Sequence, residues 1–180
     1  MTTRNDQLTV FFDENNCVGF TKRNSLTDEL HEKWFGVYRE GVFVLNLVEL
    51  AYLLSNSRVV VKNGDKDIST LQELVSQYNK CFDTSFWPML SVFKDLRERG
   101  RRVRVLGPMK FLVKDKSGDL RLVYILEEKY SVSVNRLVEL IDEARRNNLK
   151  ATLAIVSLQG ELTYYESNLV DLWVEKNERV

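Results

Sequence analysis

Asp95-Leu96-Arg97-Glu98-Arg99-Gly100-Arg101-Arg102-Val103-Arg104-Val105-Leu106 is the stretch on which the fold turns. Just upstream, Met89, Val92, Phe93 and Leu96 recur at the spacing of one helical face. Gly100 then follows the basic Arg97 and Arg99, placing a left-handed stop and two cations at the negative end of a helix. Val103 and Val105 alternate with Arg104, the period of a strand. A helix that runs straight into a strand implies a layer of helix packed on sheet.

Toward the C-terminus, Lys110-Phe111-Leu112-Val113 and Leu120 to Leu126 read as further strands around a Ser117-Gly118-Asp119 turn. Leu137, Leu140, Ile141 and Ala144 then share a helical face, and Leu153-Ala154-Ile155-Val156 and Leu162-Thr163-Tyr164-Tyr165 form strands around Gln159-Gly160. Toward the N-terminus, Leu8 to Phe12, Val42 to Leu45 and Val59 to Val61 read as strands. Asn46 with Glu49 forms a capping box ahead of Leu47, Leu50, Ala51 and Leu54, and Ser69 is the expected cap of a helix through Leu71, Leu74, Val75 and Tyr78. Ser85 opens the next helix, with Pro88 in its first turn. The expectation is an α/β (α+β) chain of two small domains, 1–82 and 86–174, each a mixed or antiparallel sheet with two helices.

With 180 residues, 44% of them hydrophobic, the chain can bury one good-sized core or two small ones. Its 26 basic and 26 acidic side chains cancel, so any nucleic-acid contact must come from a local patch or a partner. Cys17 and Cys81 stand in no metal-like spacing and read as buried or incidental thiols of a reducing compartment. The N-terminal residues show no signal peptide and no run reaches membrane-spanning length, so a cytoplasmic protein without membrane contact is expected.

Leu-Arg-Glu-Arg-Gly at 96–100, Gly107 with Lys110-Phe111, Lys129-Tyr130, Leu153-Ala154-Ile155-Val156 and Gly-Glu-Leu-Thr-Tyr-Tyr at 160–165 resemble, in order, the archaeal tRNA-splicing endonuclease family. The resemblance covers most of residues 86–174, and the first half looks like that family's N-terminal domain. It implies metal-independent cutting of precursor tRNA at intron boundaries, leaving a cyclic phosphate, by a tyrosine, a histidine and a lysine. Matched residue by residue, those positions fall at Lys114, Glu127 and Lys150, of which only Lys150 agrees; Tyr124 stays open as a displaced tyrosine. The resemblance thus implies no catalytic residue, no cofactor and no metal. It points to a structural subunit in a heterotetramer of two plus two with a catalytic partner, acting on precursor tRNA.

The chemistry sharpens this. Attack by a 2′-hydroxyl needs one group to take its proton and another to protonate the departing 5′-oxygen, and imidazole is the usual answer near neutrality. The only histidine is His31, in the expected N-terminal domain. The family's acidic interface loop and paired C-terminal strand have candidates in Asp115, Asp119, Glu161, Leu162, Tyr164, Leu172 and Trp173. RNA contacts are expected from Arg97, Arg99, Arg101, Arg102, Arg104 and Lys150, against a solvated helix end as the plain alternative. Trp34, Phe35, Trp87 and Trp173 are available for stacking on bases or for core and interface packing. Two further readings stay open: a metal-dependent nuclease using Glu127 and Lys129 with Asp115 or Asp119, and a protein-interaction module without an RNA role.

Overall fold

The structure, a computed structural model, describes residues 7–64 and 66–167. Its first half forms β1 (Leu8–Asp13), β2 (Val18–Lys22), α1 (Ser25–Glu32), β3 (Val37–Arg39), β4 (Val42–Asn46), α2 (Leu47–Ser55), β5 (Val59–Asn63), β6 (Lys66–Ile68) and α3 (Leu71–Gln77), followed by a 3-10 turn at Asn79–Cys81. The strands make a six-stranded sheet in the order β3-β4-β2-β1-β5-β6, antiparallel except for the β1–β5 pair. The Asn46–Glu49 capping box is present and starts α2, whose Leu50, Ala51 and Leu54 are buried against the sheet. Gly36, at φ +59°, has no room for a side chain, since a Cβ would lie 2.5 Å from the Phe43 ring.

Three helices, not the expected two, lie among the described residues of this half. Helix α1 escapes the periodicity because only Leu26 and Leu30 are apolar in it; an Asn24–Thr27 capping box holds its start. Strands β3 and β6 are three residues each, too short to show alternation. The cap of α3 is Thr70, whose hydroxyl accepts the Glu73 amide; Ser69 instead donates its amide to the Glu73 carboxylate.

The second half contains α4 (Phe86–Glu98), β7 (Arg102–Gly107), β8 (Lys110–Lys114), β9 (Leu120–Glu127), α5 (Val134–Arg146), β10 (Lys150–Val156) and β11 (Leu162–Ser167). Asp83 is the functional cap of α4, accepting the amides of Ser85 and Phe86 at 2.9 and 3.2 Å. The five strands run β11-β10-β9-β8-β7, with β9 and β10 parallel and joined through α5. On one face, Val92, Phe93 and Leu96 of α4 are wholly buried; on the other, α5 covers a small cluster of Leu122, Tyr124, Leu140, Ala144 and Ala151.

The larger core does not stop between the halves: it is continuous from Leu8 and Val10 through α2 and α4 to Phe111, Val123 and Ala154. Arg97 fastens the junction. Its guanidinium donates to the Lys33, Trp34 and Val103 carbonyls at 2.6, 2.8 and 2.7 Å and lies 3.7 Å over the Phe35 ring. It thereby caps the C-terminal end of α1 from the other half of the chain. Beside it, burial pushes the Glu49 carboxyl up to about 7 against the pull of the Asn46 and Gly36 amides, and burial brings Arg97 down to about 10.

The expectation of two free thiols is overturned: Cys17 and Cys81 are joined in a disulfide across 64 residues. The fold lays the β1–β2 turn against the 3-10 turn, a proximity that spacing along the chain does not reveal. Such bonds occur in secreted proteins and inside hyperthermophilic cells alike, so the bond removes the thiol argument for a reducing compartment. Among the described residues, no helix is long and apolar enough to cross a membrane.

Candidate functional site

Lys150 opens β10, and parallel pairing sets it beside Arg121 of β9. The β8–β9 turn curls over this end of the sheet, held by Asp115, which accepts the Ser117 hydroxyl at 2.6 Å and the Asp119 amide at 3.1 Å. Lys150 Nζ lies 3.6 Å from Asp119 Oδ2, an exposed pair. Behind it, the buried Arg121 guanidinium reaches Asp115 Oδ2 at 2.7 Å and bonds the Glu166 carboxylate of β11. Burial works against that charge, yet Glu166 and Asp115 hold Arg121 more firmly protonated than usual. The Asp115 carboxyl is lowered by the Ser117 hydroxyl first and then by Arg121, with burial opposing. Two cations, Lys150 and Arg121, thus share the corner with three carboxylates, Asp115, Asp119 and Glu166.

The positions expected to mark a triad do not meet. Glu127 is opposite Val156 at the far end of β9, six residues beyond Arg121, or roughly 20 Å at strand rise, and it pairs with Lys129 at 3.0 Å. Lys114 shares its sheet face with Leu112, which packs in the α5 cluster, whereas Lys150 shares the opposite face with Arg121 and Thr152. The residue that does face Lys150 is Asp119. Asp119, just ahead of β9, is eight residues from Glu127, or roughly 26 Å at strand rise, and Asp115 is bound to Arg121 at the same end, which removes the arrangement behind the metal-dependent alternative. Among the described residues, no three His, Cys, Asp or Glu side chains are grouped to hold a metal ion.

His31 stays in the first half, with Nδ1 3.4 Å from the Gly36 carbonyl and its ring 5.1 Å from that of Tyr38. Tyr124 is buried beneath α5, donating to Glu143 Oε2 at 3.0 Å while Lys110 holds the other carboxylate oxygen at 2.8 Å. Burial, and then Glu143, raise the Tyr124 pKa, so its hydroxyl keeps its proton and is no substitute base. These groups line a cleft of about 550 Å³ with Ser133 and Arg136, on the face away from Lys150.

Comparison with known proteins gives this geometry its context. Residues 86–164 match the family model described as tRNA intron endonuclease, catalytic C-terminal domain, and residues 13–75 match the corresponding N-terminal domain. The chain belongs to the tRNA intron endonuclease family. It is 26% identical over 162 residues to a tRNA-splicing endonuclease of Thermococcus kodakarensis, covering 87% of this chain and 95% of that one. To one from Pyrococcus furiosus it is 28% identical over 154 residues, covering 82% and 88%. A longer Methanosarcina acetivorans relative is 30% identical over 141 residues, which are 74% of this chain and 39% of that one.

Within the endonuclease domain the arginine cluster divides. Arg97 is removed from the set of RNA contacts by its three carbonyl bonds. Arg99 pairs with Asp95 at 2.8 Å, and Arg104 lies 5.4 Å over the Trp34 ring with Nε buried. Arg101 and Arg102 remain at the surface, half-buried and exposed. Of the expected interface residues, Tyr164 turns inward to bond Asp95 at 2.7 Å, and Leu162 packs on the chain's own core. Asp115 is bound to Arg121 and is no protruding plug. Glu161 stands exposed at the β10–β11 turn, its amide bonded to Ser157 Oγ. Leu172 and Trp173 lie outside the described residues. Phe35 is buried against Arg97. Trp87, half exposed, packs edge-on to Phe86.

Sequence reasoning did not single out Arg121, and it read Asp119 as the carboxylate of an exposed turn without pairing it with Lys150. The signal lay in the turn: Asp119 immediately precedes β9, and a strand paired parallel to β9 brings its first residue alongside.

Proposed function

We propose that this chain is the noncatalytic, structural subunit of a heteromeric tRNA-splicing endonuclease, assembled two plus two with a catalytic partner and acting on precursor tRNA. One observation carries this reading: Lys150, which the sequence resemblance matches to the family lysine, faces the carboxylate of Asp119 and no imidazole, since the chain's single histidine is bonded in the N-terminal half. A carboxylate paired with an ammonium supplies no group that titrates near neutrality, as imidazole does, to take the 2′-hydroxyl proton and return one to the departing 5′-oxygen, and a corner with three carboxylates to two cations gives little hold on a scissile phosphate. The role that remains is assembly, support of the partner's active site and placement of substrate.

The test is cleavage of a transcribed, intron-containing tRNA precursor in the presence of a chelator. The chain alone is expected to leave the RNA intact, and adding the catalytic subunit is expected to release the intron with cyclic-phosphate ends. Metal-independent cutting by this chain alone would overturn the proposal.

A further inference from the structure

The turn from α4 into β7 and the β8–β9 hairpin meet at one corner of the C-terminal sheet. Register sets Arg102 of β7 directly across from Lys114 of β8. Lys116, in the hairpin, lies against Gly100, where a Cβ would come 2.8 Å from Lys116 Cε. With Arg101 adjoining, four cations gather within two turns of chain. Among the described residues, none of the four has an ion pair. The nearby carboxylates are otherwise engaged: Asp95 with Arg99, Glu98 with Lys94, Asp115 with Arg121 and Asp119 with Lys150.

Like charges directly opposite on paired strands destabilise a sheet, and a carboxylate at either position would relieve them. In a chain whose formal charge is zero, a knot of four cations without an ion pair among the described residues is a local exception. Two are guanidinium or ammonium groups on the sheet's outer strand pair, Arg102 exposed on its edge strand and Lys114 beside it, open to a ligand approaching that edge. Planar guanidinium forks and mobile ammonium groups suit phosphate oxygens rather than base edges.

We propose that Arg101, Arg102, Lys114 and Lys116 form a phosphate-backbone contact surface through which this chain holds precursor RNA, at the sheet corner where register sets Arg102 and Lys114 on the face opposite Lys150. The inference rests on the reading of the chain as a tRNA-splicing subunit and adds where on it the RNA lies. Contacts of this kind carry shape and charge recognition, and their signature is salt dependence.

The experiment measures binding of the full chain to a transcribed, intron-containing tRNA precursor across a salt series. R101Q/R102Q/K114Q/K116Q is compared with K33Q/K62Q/K94Q/R136Q, which removes four charges from paired positions elsewhere. At about 0.7 to 0.9 per phosphate contact, the slope of log affinity against log salt is expected to fall by about 3 in the first variant, with at least about a tenfold loss of affinity. The second variant is expected to stay near the parent, and R102K/K114R to retain binding. Equal losses in both four-charge variants, or an unchanged slope in the first, overturn the proposal. So does a first variant that binds RNA normally but no longer assembles with the catalytic subunit, which would assign the corner to an acidic protein surface. Unaided cleavage by the parent chain is scored separately: it would sink the noncatalytic reading and leave this surface standing.

Discussion

Replacing Arg97 by Met tests the junction between the two sheets. The substitution keeps an apolar stem over Phe35 and removes three hydrogen bonds of 2.6 to 2.8 Å to the Lys33, Trp34 and Val103 carbonyls. At roughly 2 kcal/mol for each bond from a charged donor, the gross loss is about 6 kcal/mol. Against this stands the cost of burying the charge. The fall of Arg97 from 12.5 to about 10 is about 2.5 pKa units, or about 3 kcal/mol that the variant recovers. The net destabilisation is therefore about 3 kcal/mol, an expected drop in Tm of about 6 to 12 °C for a chain of this size. Equilibrium unfolding in urea, followed by tryptophan fluorescence, measures it. Arg97→Lys should recover less than half, because a single ammonium cannot reach all three carbonyls at once. A Met variant within about 0.5 kcal/mol of the parent would refute the account of Arg97 as the fastening between the halves.

Two other outcomes follow from the same region and from the disulfide. Glu49 titrates near 7 in the folded chain against an ordinary 4.5, so its contribution to stability is fully present below pH 4.5 and is lost as pH rises through 7. The drop across that window is about 3 kcal/mol, and Glu49→Gln should flatten it when unfolding free energy is measured from pH 4.5 to 8; an unchanged profile would contradict the burial argument. Opening the Cys17–Cys81 bond with reductant, or by Cys17→Ser with Cys81→Ser, releases a 64-residue loop and should cost about 4 kcal/mol. Mass spectrometry of the native chain with a thiol-alkylating reagent checks the bond itself, and two alkylated cysteines without prior reduction would deny it.

Elements with strong apolar periodicity were legible from the residues alone: α2 from its capping box and Leu47, Leu50, Ala51 and Leu54, α4 from Val92, Phe93 and Leu96 with Gly100 as its stop. Short or polar elements were not, because β3, β6 and α1 owe their form to neighbours rather than to their own pattern. The surroundings of the candidate site were not legible. Spacing ahead of Ala154-Ile155-Val156 singled out Lys150 as a candidate, but what Lys150 faces depends on strand register, and register is decided by the parallel β9–β10 pairing. Arg97 shows the limit most plainly: an arginine in the last turn of a helix looks the same whether water or a distant carbonyl receives it. Its acceptors, Lys33 and Trp34, lie 64 and 63 residues away in the chain.

The uninterrupted core has a consequence for how such a chain can be divided. Because α4 offers one flank to α2 and the other to the C-terminal sheet, a piece comprising residues 86–167 would leave Phe93 without the Phe35 and Tyr52 rings it packs against. The two modules are therefore inherited as a matched set, and a recombinant that exchanged one of them would have to refit the seam of Tyr52, Phe35 and Phe93 before it could fold.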